Sequence, residues 1–328
     1  MLNRDSFIQE AIDSKLTHFS ELCLRLYHDQ AEHNPVFNKY LQFINAKSTI
    51  DDIADIRFLP VSLFKQHQVI NHNLPHQTIF TSSTTTSQTP SSHYVADVGY
   101  YEKSFITAFE LFYGKADDYI FLCLLPGYLE RSGSSLVYMA QKLIELSQHP
   151  LSGFYLYDFE ALQKAMHQAK QEKRKLFLLG VTFALLDFAE TFPTDLSGNI
   201  IMETGGMKGR KQEQTRLEIH NYLQQQFQVE QIHSEYGMTE LLSQAYAQKN
   251  GAFVCPPWMK VVITDMNDPF TILTHGKTGL INVIDLANID SCAFIQTQDL
   301  GRISADGSFE VLGRMDHSEV RGCNLMYL

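Results

Sequence analysis

Between residues 119 and 233, short apolar runs alternate with segments of helical periodicity. No other feature of the chain constrains its fold as strongly. Residues 119–125 are an unbroken apolar run of strand length, and 134–146 repeat apolar side chains at helical spacing. Residues 175–179, 199–203 and 229–233 read as strands, and 211–227 as a long, polar-faced helix. A strand–helix–strand rhythm implies a mainly parallel sheet with helices covering its faces. From about residue 255 the rhythm changes. Residues 259–264, 271–273, 279–285, 293–297 and 309–312 read as short strands, parted by Asn267-Asp268-Pro269, His275-Gly276-Lys277 and Asp306-Gly307. The expectation is an α/β core over 1–254 and an antiparallel β-rich subdomain, open or barrel-like, over 255–328. At the N-terminus, Ser6 with Gln9 fits a capping box. Phe7, Ile8, Ala11, Ile12, Leu16 and Phe19 form the apolar stripe behind it. From about 35 to 95 the pattern is irregular.

Composition narrows the class. The 328 residues carry a formal net charge of −11, which argues against a protein held to nucleic acid by phosphate contacts. Hydrophobic residues at 44% and charged residues at 19% are globular values and exclude a disordered chain. No apolar run approaches the roughly 20 residues of a membrane span. The polar start lacks the apolar core of a secretory signal. Cys23, Cys123, Cys255, Cys292 and Cys323 show no zinc-site or redox spacing, so free thiols in a reducing, cytoplasmic setting are expected.

Four segments can carry chemistry. The hydroxyl run Ser82, Ser83, Thr84, Thr85, Thr86, Ser87 follows a strand-like lead-in and offers donors to phosphate oxygens; taken alone, it is better explained as a polar surface loop. In Tyr236-Gly237-Met238-Thr239-Glu240 the glycine permits a sharp turn after a strand. Thr239 and Glu240 are hard oxygen ligands of the kind Mg²⁺ takes beside phosphates, or else a cap and first turn of a helix. Asp299, in Thr297-Gln298-Asp299-Leu300-Gly301, is an acceptor suited to two ribose hydroxyls, or part of a hairpin turn. Cys323 lies close to Arg321, which would favour a thiolate. Arg131, just before Ser132-Gly133-Ser134-Ser135, stands at a helix N-terminus suited to an anion. The thirteen histidines form no metal motif, and His93 and His233 read as structural.

In this order the segments resemble the adenylate-forming superfamily of acyl- and aryl-CoA ligases. The hydroxyl run resembles its TSGTTG-type loop, residues 236–240 its YGxTE motif, residues 297–299 its TGD motif, and Gly313-Arg314-Met315-Asp316 with Arg321-Gly322 its GRxD…RG hinge. Leu59-Pro60-Val61-Ser62-Leu63-Phe64-Lys65, Glu203-Thr204-Gly205-Gly206-Met207-Lys208-Gly209, residues 235–244 and Arg321-Gly322-Cys323 are similar to the LuxE family. Those are the acyl-protein synthetases of the bacterial luciferase system. The resemblance implies an N-terminal-domain-like adenylate-forming fold without the mobile C-terminal domain.

It also implies a reaction. ATP would activate a carboxylic acid, fatty or aryl, to an acyl-adenylate. The acyl group would pass to Cys323 and on to an acyl-CoA reductase-type or carrier-protein partner. Carried over by motif, Ser82 to Ser87 would contact the phosphates and Tyr236 would stack near adenine beside Gly237. Thr239 and Glu240 would serve Mg²⁺ and phosphate, Asp299 would hold the ribose, and Arg314 would lie beside it. Ser83 and Thr86 replace the two loop glycines and no lysine follows Pro90, so another cation must serve: Lys208, Arg210 or Arg131, or one from a partner protein. A CoA-type ligase and a non-catalytic acyl-binding partner of a reductase are the competing expectations.

Overall fold

The computed structural model describes residues 2–72, 74–82, 89–126, 133–172, 174–205 and 215–315. The chain opens with α1 (Arg4–Ala11), α2 (Phe19–His33) and α3 (Pro35–Phe43). Asn3, rather than Ser6, caps α1, its side chain accepting from the Ser6 N–H at 3.0 Å. The apolar stripe is split between α1 and α2, since the first helix ends at Ala11. Asn34 caps α3 through two backbone N–H groups, and Pro35 supplies the preset φ of a first helical position. The stretch from 35 to 43 is therefore helical where periodicity was weak.

Next come β1 (Leu59–Pro60), a 3₁₀ segment (Val61–Lys65), and the hairpin β2 (Thr78–Thr81) and β3 (Ser92–Val95). The middle of the chain runs α4 (Val98–Tyr113), β4 (Tyr119–Leu124), α5 (Ser135–Ser147), β5 (Gly153–Phe154), α6 (Phe159–Ala169), β6 (Lys175–Gly180), α7 (Thr182–Thr191), β7 (Ile200–Glu203), α8 (Arg216–Phe227), β8 (His233–Tyr236) and β9 (Ala245–Ala247). These strands form one sheet in the order β5-β4-β6-β7-β8-β9, parallel except for β9. Every residue of β4 is buried, as a central parallel strand under helices on both faces requires. The strand expected at 229–233 lies at His233–Tyr236 instead.

The last elements are β10 (Met259–Thr264), β11 (Gly279–Asp285), β12 (Phe294–Ile303) and β13 (Phe309–Arg314). They form an antiparallel ladder, and β1 joins it in parallel on the same edge of β12 as β13. Among the described residues the ladder is open, not a barrel. Residues 271–273 contribute one isolated bridge, Thr264 to Ile272. The N-terminal helices pack on this sheet. Gln30 donates to the Asn288 carbonyl at 2.9 Å and accepts from the Ala293 N–H at 2.9 Å, Asn34 donates to the Ser291 carbonyl at 2.8 Å, and Arg4 pairs with Asp290. No helix among the described residues is long and apolar enough to cross a membrane.

Candidate active site

Ligands of parallel sheets collect beyond the carboxyl ends of the strands. There the chain brings together three residues that lie far apart in sequence. Tyr236 ends β8, Asp299 lies within β12, and Arg314 ends β13 opposite Asp299 in register. The Tyr236 hydroxyl donates to Asp299 Oδ2 at 3.0 Å, and Arg314 Nε stands 3.5 Å from Asp299 Oδ1. Burial pushes the Asp299 carboxyl up, while Arg314 and Tyr236 pull against that shift. The Tyr236 ring is buried edge-on against Phe253 and Phe309, with centroids 5.8 and 5.4 Å away, so the tyrosine offers its hydroxyl more than its face. Asp299 sits in a strand and not in a hairpin turn. Gly301 serves a close crossing there: a Cβ would lie 2.4 Å from the Glu310 carbonyl and 2.6 Å from Ile281 Cδ1.

No helix follows β8. Residues 237–244 turn back into β9, and the turn is held from three directions. His93 Nδ1, on β3, lies 2.9 Å from the Thr239 carbonyl. Asn288 Nδ2 donates to the Glu240 carbonyl at 2.8 Å, and its Oδ1 is 3.2 Å from His93 Nε2. Asp285 Oδ2 accepts from the Leu242 and Ser243 N–H groups at 2.8 and 3.0 Å. Gly237 carries no side chain because a Cβ would fall 2.3 Å from Glu235 Oε1. Burial drives the His93 ring down to about 4 against the pull of its two acceptors, so the ring is neutral at pH 7. Both ring nitrogens face oxygens that only accept, so the single proton of the neutral ring serves one of the two contacts.

Glu240 is 4% exposed. Burial pushes its carboxyl up. A hydrogen bond from Ser91 and the charges of Arg314 and Lys65 oppose the shift.

A cleft of about 930 Å³ opens beside this cluster, lined by Thr182, Glu203, Gly205, Arg216, His220 and Gly313 among others. Its floor is the Glu203 carboxylate, which accepts from Thr182 Oγ1 at 2.9 Å, the Gly205 N–H at 2.7 Å and Ser234 Oγ at 2.7 Å. Arg216 Nε and His220 Nε2 lie 3.5 and 3.6 Å from Oε1. Burial opposes the charge, yet His220, Arg216, Ser234 and Gly205 together outweigh it and hold this carboxyl down at about 2.

Of the residues expected at the site, Ser82, Tyr236, Gly237, Thr239, Glu240, Asp299 and Arg314 are described, and all but Ser82 are placed above. Ser82 Oγ accepts from the Ser91 N–H at 2.9 Å, at the end of the hairpin stem. Ser83, Thr84, Thr85, Thr86, Ser87, Arg131, Lys208, Arg210 and Cys323 lie outside the described residues. The Thr81 N–H donates to the Gly133 carbonyl at 2.7 Å, so the two segments that flank the hydroxyl run and Arg131 abut. Cys23, Cys123 and Cys292 are buried and Cys255 is half-buried. Burial pushes the Cys23, Cys255 and Cys292 thiols up to about 12, and Cys123 higher still. His93, Ser91, Asn288 and Asp285 belong to the site without any sequence signal, because no spacing rule links residues 93, 239 and 288. The described residues hold no cluster of three or more His, Cys, Asp or Glu that would bind a metal on its own.

No protein-family model matches the chain. The long-chain-fatty-acid–luciferin-component ligase of Vibrio harveyi is 26% identical over 189 residues, covering 51% of this chain and 48% of that protein. The match thus spans about half the relative's length. An open conformation of 2-hydroxyisobutyryl-CoA ligase, in complex with 2-HIB-AMP and CoA, superposes with a TM-score of 0.64 at 10% identity, over 91% of this chain and 70% of that one. O-succinylbenzoate coenzyme A synthetase from Bacillus subtilis, in complex with AMP, gives a TM-score of 0.51 at 18% identity, over 74% and 50%. The chain therefore has the α/β fold of the adenylate-forming CoA ligases, and half of its sequence is similar to the Vibrio harveyi ligase.

Proposed function

We propose that the protein activates a carboxylic acid with ATP and passes the acyl group to a thiol, as an acyl-protein synthetase. The convergence of Tyr236, Asp299 and Arg314 carries this reading, because three separated motif residues meet at the strand ends where a nucleotide would lie. An ionised carboxylate has about four lone-pair sites. Tyr236 takes one on Asp299 and Arg314 faces another, which leaves room for two ribose hydroxyls. The base would enter the adjoining cleft, whose volume is within the range of small-molecule sites. Glu240 supplies one hard oxygen, which suits Mg²⁺, an ion that binds through one or two carboxylates plus phosphate oxygens. Ser82 to Ser87, Thr239, Arg131 and Lys208 would meet the phosphates.

Chemically, a carboxylate oxygen of the acid attacks the α-phosphorus. The bond to the β-phosphate breaks and pyrophosphate leaves. Donors and cations fixed around the phosphates stabilise the developing charge, with Mg²⁺ as Lewis acid. A thiolate then attacks the acyl carbon, a thioester forms, and AMP departs, which splits one difficult step into two easier ones. Cys323 is the proposed acceptor. The four described thiols support it by contrast, since burial keeps them protonated. A long-chain fatty acid is the proposed substrate, by similarity to the Vibrio harveyi ligase, and a reductase or carrier protein the proposed onward acceptor.

The test is intact-protein mass after incubation with Mg-ATP and a panel of fatty and aryl acids, before and after neutral hydroxylamine. A labile mass gain that disappears in Cys323→Ser supports the reading. Acid-dependent pyrophosphate without protein acylation would point to a free thiol acceptor such as CoA. The absence of both signals would sink the reading.

A further inference from the structure

We propose that Glu235 and Gln244 form a hydrogen-bonding pocket for a hydroxyl on the carbon chain of the acid, so that the substrate is a hydroxylated fatty acid. The inference rests on the functional reading above and narrows its substrate. Strand β8 pairs antiparallel with β9, with Glu235 opposite Tyr246. Side chains alternate along a strand, so the next position on that face is Gly237, with Gln244 across from it where β9 begins. A Cβ at Gly237 would meet Glu235 Oε1 at 2.3 Å and Gln244 Cγ at 3.3 Å, so the two side chains converge over the glycine. The Phe112 and Tyr113 rings of α4 close the Tyr246 end of this face, with centroids 5.2 and 5.4 Å from the Tyr246 ring. Its other end is open: Gly237 is exposed and Glu235 half-buried. Tyr236, between them, gives its hydroxyl to Asp299, so the convergence lies beside the proposed ribose contact.

Both groups lack partners. Gln244 is 3% exposed, and its Oε1 is buried without a hydrogen bond. The Glu235 carboxyl hydrogen-bonds to no described residue. Buried polar groups are nearly always paired, so two orphans side by side mark a place for a ligand or a water. Burial, and then the charge of Glu203, push the Glu235 carboxyl up to about 8, so at pH 7 it holds a proton to donate. A hydroxyl both gives and takes hydrogen bonds. It would accept from the Glu235 carboxyl and donate to Gln244 Oε1. An unsubstituted alkyl chain at the same place would bury both groups unpaired.

Calorimetry of the full chain with octanoic acid and three hydroxyoctanoic acids tests this without nucleotide. The hydroxyl sits next to the carboxyl in the first, one carbon further on in the second, and at the far end of the chain in the third. At least one hydroxy acid should bind about tenfold more tightly than octanoic acid, the size of one net hydrogen bond. Gln244→Met and Glu235→Leu should each bring that ratio close to one. Glu235→Gln, which still donates and accepts, should keep most of it. A merely structural role would not move the ratio. Equal binding of all four acids, as a bridging water alone would give, overturns the inference. So does a ratio unchanged in both apolar variants, or a wild type that binds none of the acids. Acid-dependent pyrophosphate release, measured in parallel, separates the two ideas. Its absence beside hydroxyl-selective binding would sink acid activation and leave the pocket standing.

Discussion

Glu203 and Glu235 stand near the ends of adjacent parallel strands, and the fold treats them in opposite ways. Glu203 collects a backbone N–H, two hydroxyls, an arginine and a histidine, and stays ionised, its carboxyl held at about 2. Glu235, one residue along β8 from Ser234, points to the opposite face, as strand alternation requires. Burial, and then the charge of Glu203, push its carboxyl up to about 8. The buried rings of Tyr101 and Tyr246 lie near it. Burial alone therefore does not fix the charge of a carboxylate; the supply of donors does.

Removing the anion from the first hub should have the largest effect. Glu203→Ala leaves Arg216 without its counter-charge and the Ser234, Thr182 and Gly205 donors without their acceptor, and should cost roughly 3 kcal/mol in a urea unfolding series. A loss under about 1 kcal/mol would mean that the hub is ornamental.

Acid comes next. His93 and His233 have folded pKa values of about 4, below the 6.5 of an unperturbed ring, because burial disfavours the charged form. The unfolded chain therefore binds more protons between pH 6.5 and 4, and stability should fall as pH falls through that window. Urea midpoints at pH 7, 5.5 and 4.5 would show this, and His93→Asn should flatten the slope. In that variant the amide stands near the Nδ1 position, facing the Thr239 carbonyl, whereas in His93→Gln it stands near the Nε2 position, facing Asn288. If the two variants release pyrophosphate equally, the contact does not position the turn.

Glu235→Gln gives a gain rather than a loss. The folded carboxyl titrates at about 8 and the unfolded one near 4.5, so Glu235 favours folding below pH 4.5 and loses that contribution as pH rises toward 8. The amide removes this dependence. Its melting temperature should match the wild type at pH 4.5 and exceed it by a few degrees at pH 8.5. The smallest effect belongs to the exposed pair of Arg302 and Glu310, 2.8 Å apart: Glu310→Gln should shift stability by less than about 0.5 kcal/mol.

Strands β4, β10 and β11 were legible within a residue, because runs such as 119–124 and 259–264 are long enough and apolar or β-branched enough to admit one reading. The strand His233–Tyr236 was not. Three of its four residues, His233, Ser234 and Glu235, are polar, Ser234 because it feeds the Glu203 hub, and the apolar signal lay just upstream. Helix α3 was hidden for a different reason: its start is set by a capping asparagine and a proline, not by periodicity. At the site, Tyr236, Glu240 and Asp299 could be read from short motifs. His93 and Asn288 could not, since their relation to the turn exists only after long stretches of intervening chain have folded.

The parallel pairing of Leu59 with Ile295 has a consequence for synthesis. The amino-terminal helices and β1 emerge from the ribosome some 235 residues before the strand they dock on. At about 5–20 residues per second, they wait on the order of tens of seconds with Leu22, Leu26 and Tyr27 uncovered. A chain cut anywhere between residues 60 and 295 would leave that face bare on both fragments, so expression trials should keep the two ends together and expect nascent chains to need chaperone cover.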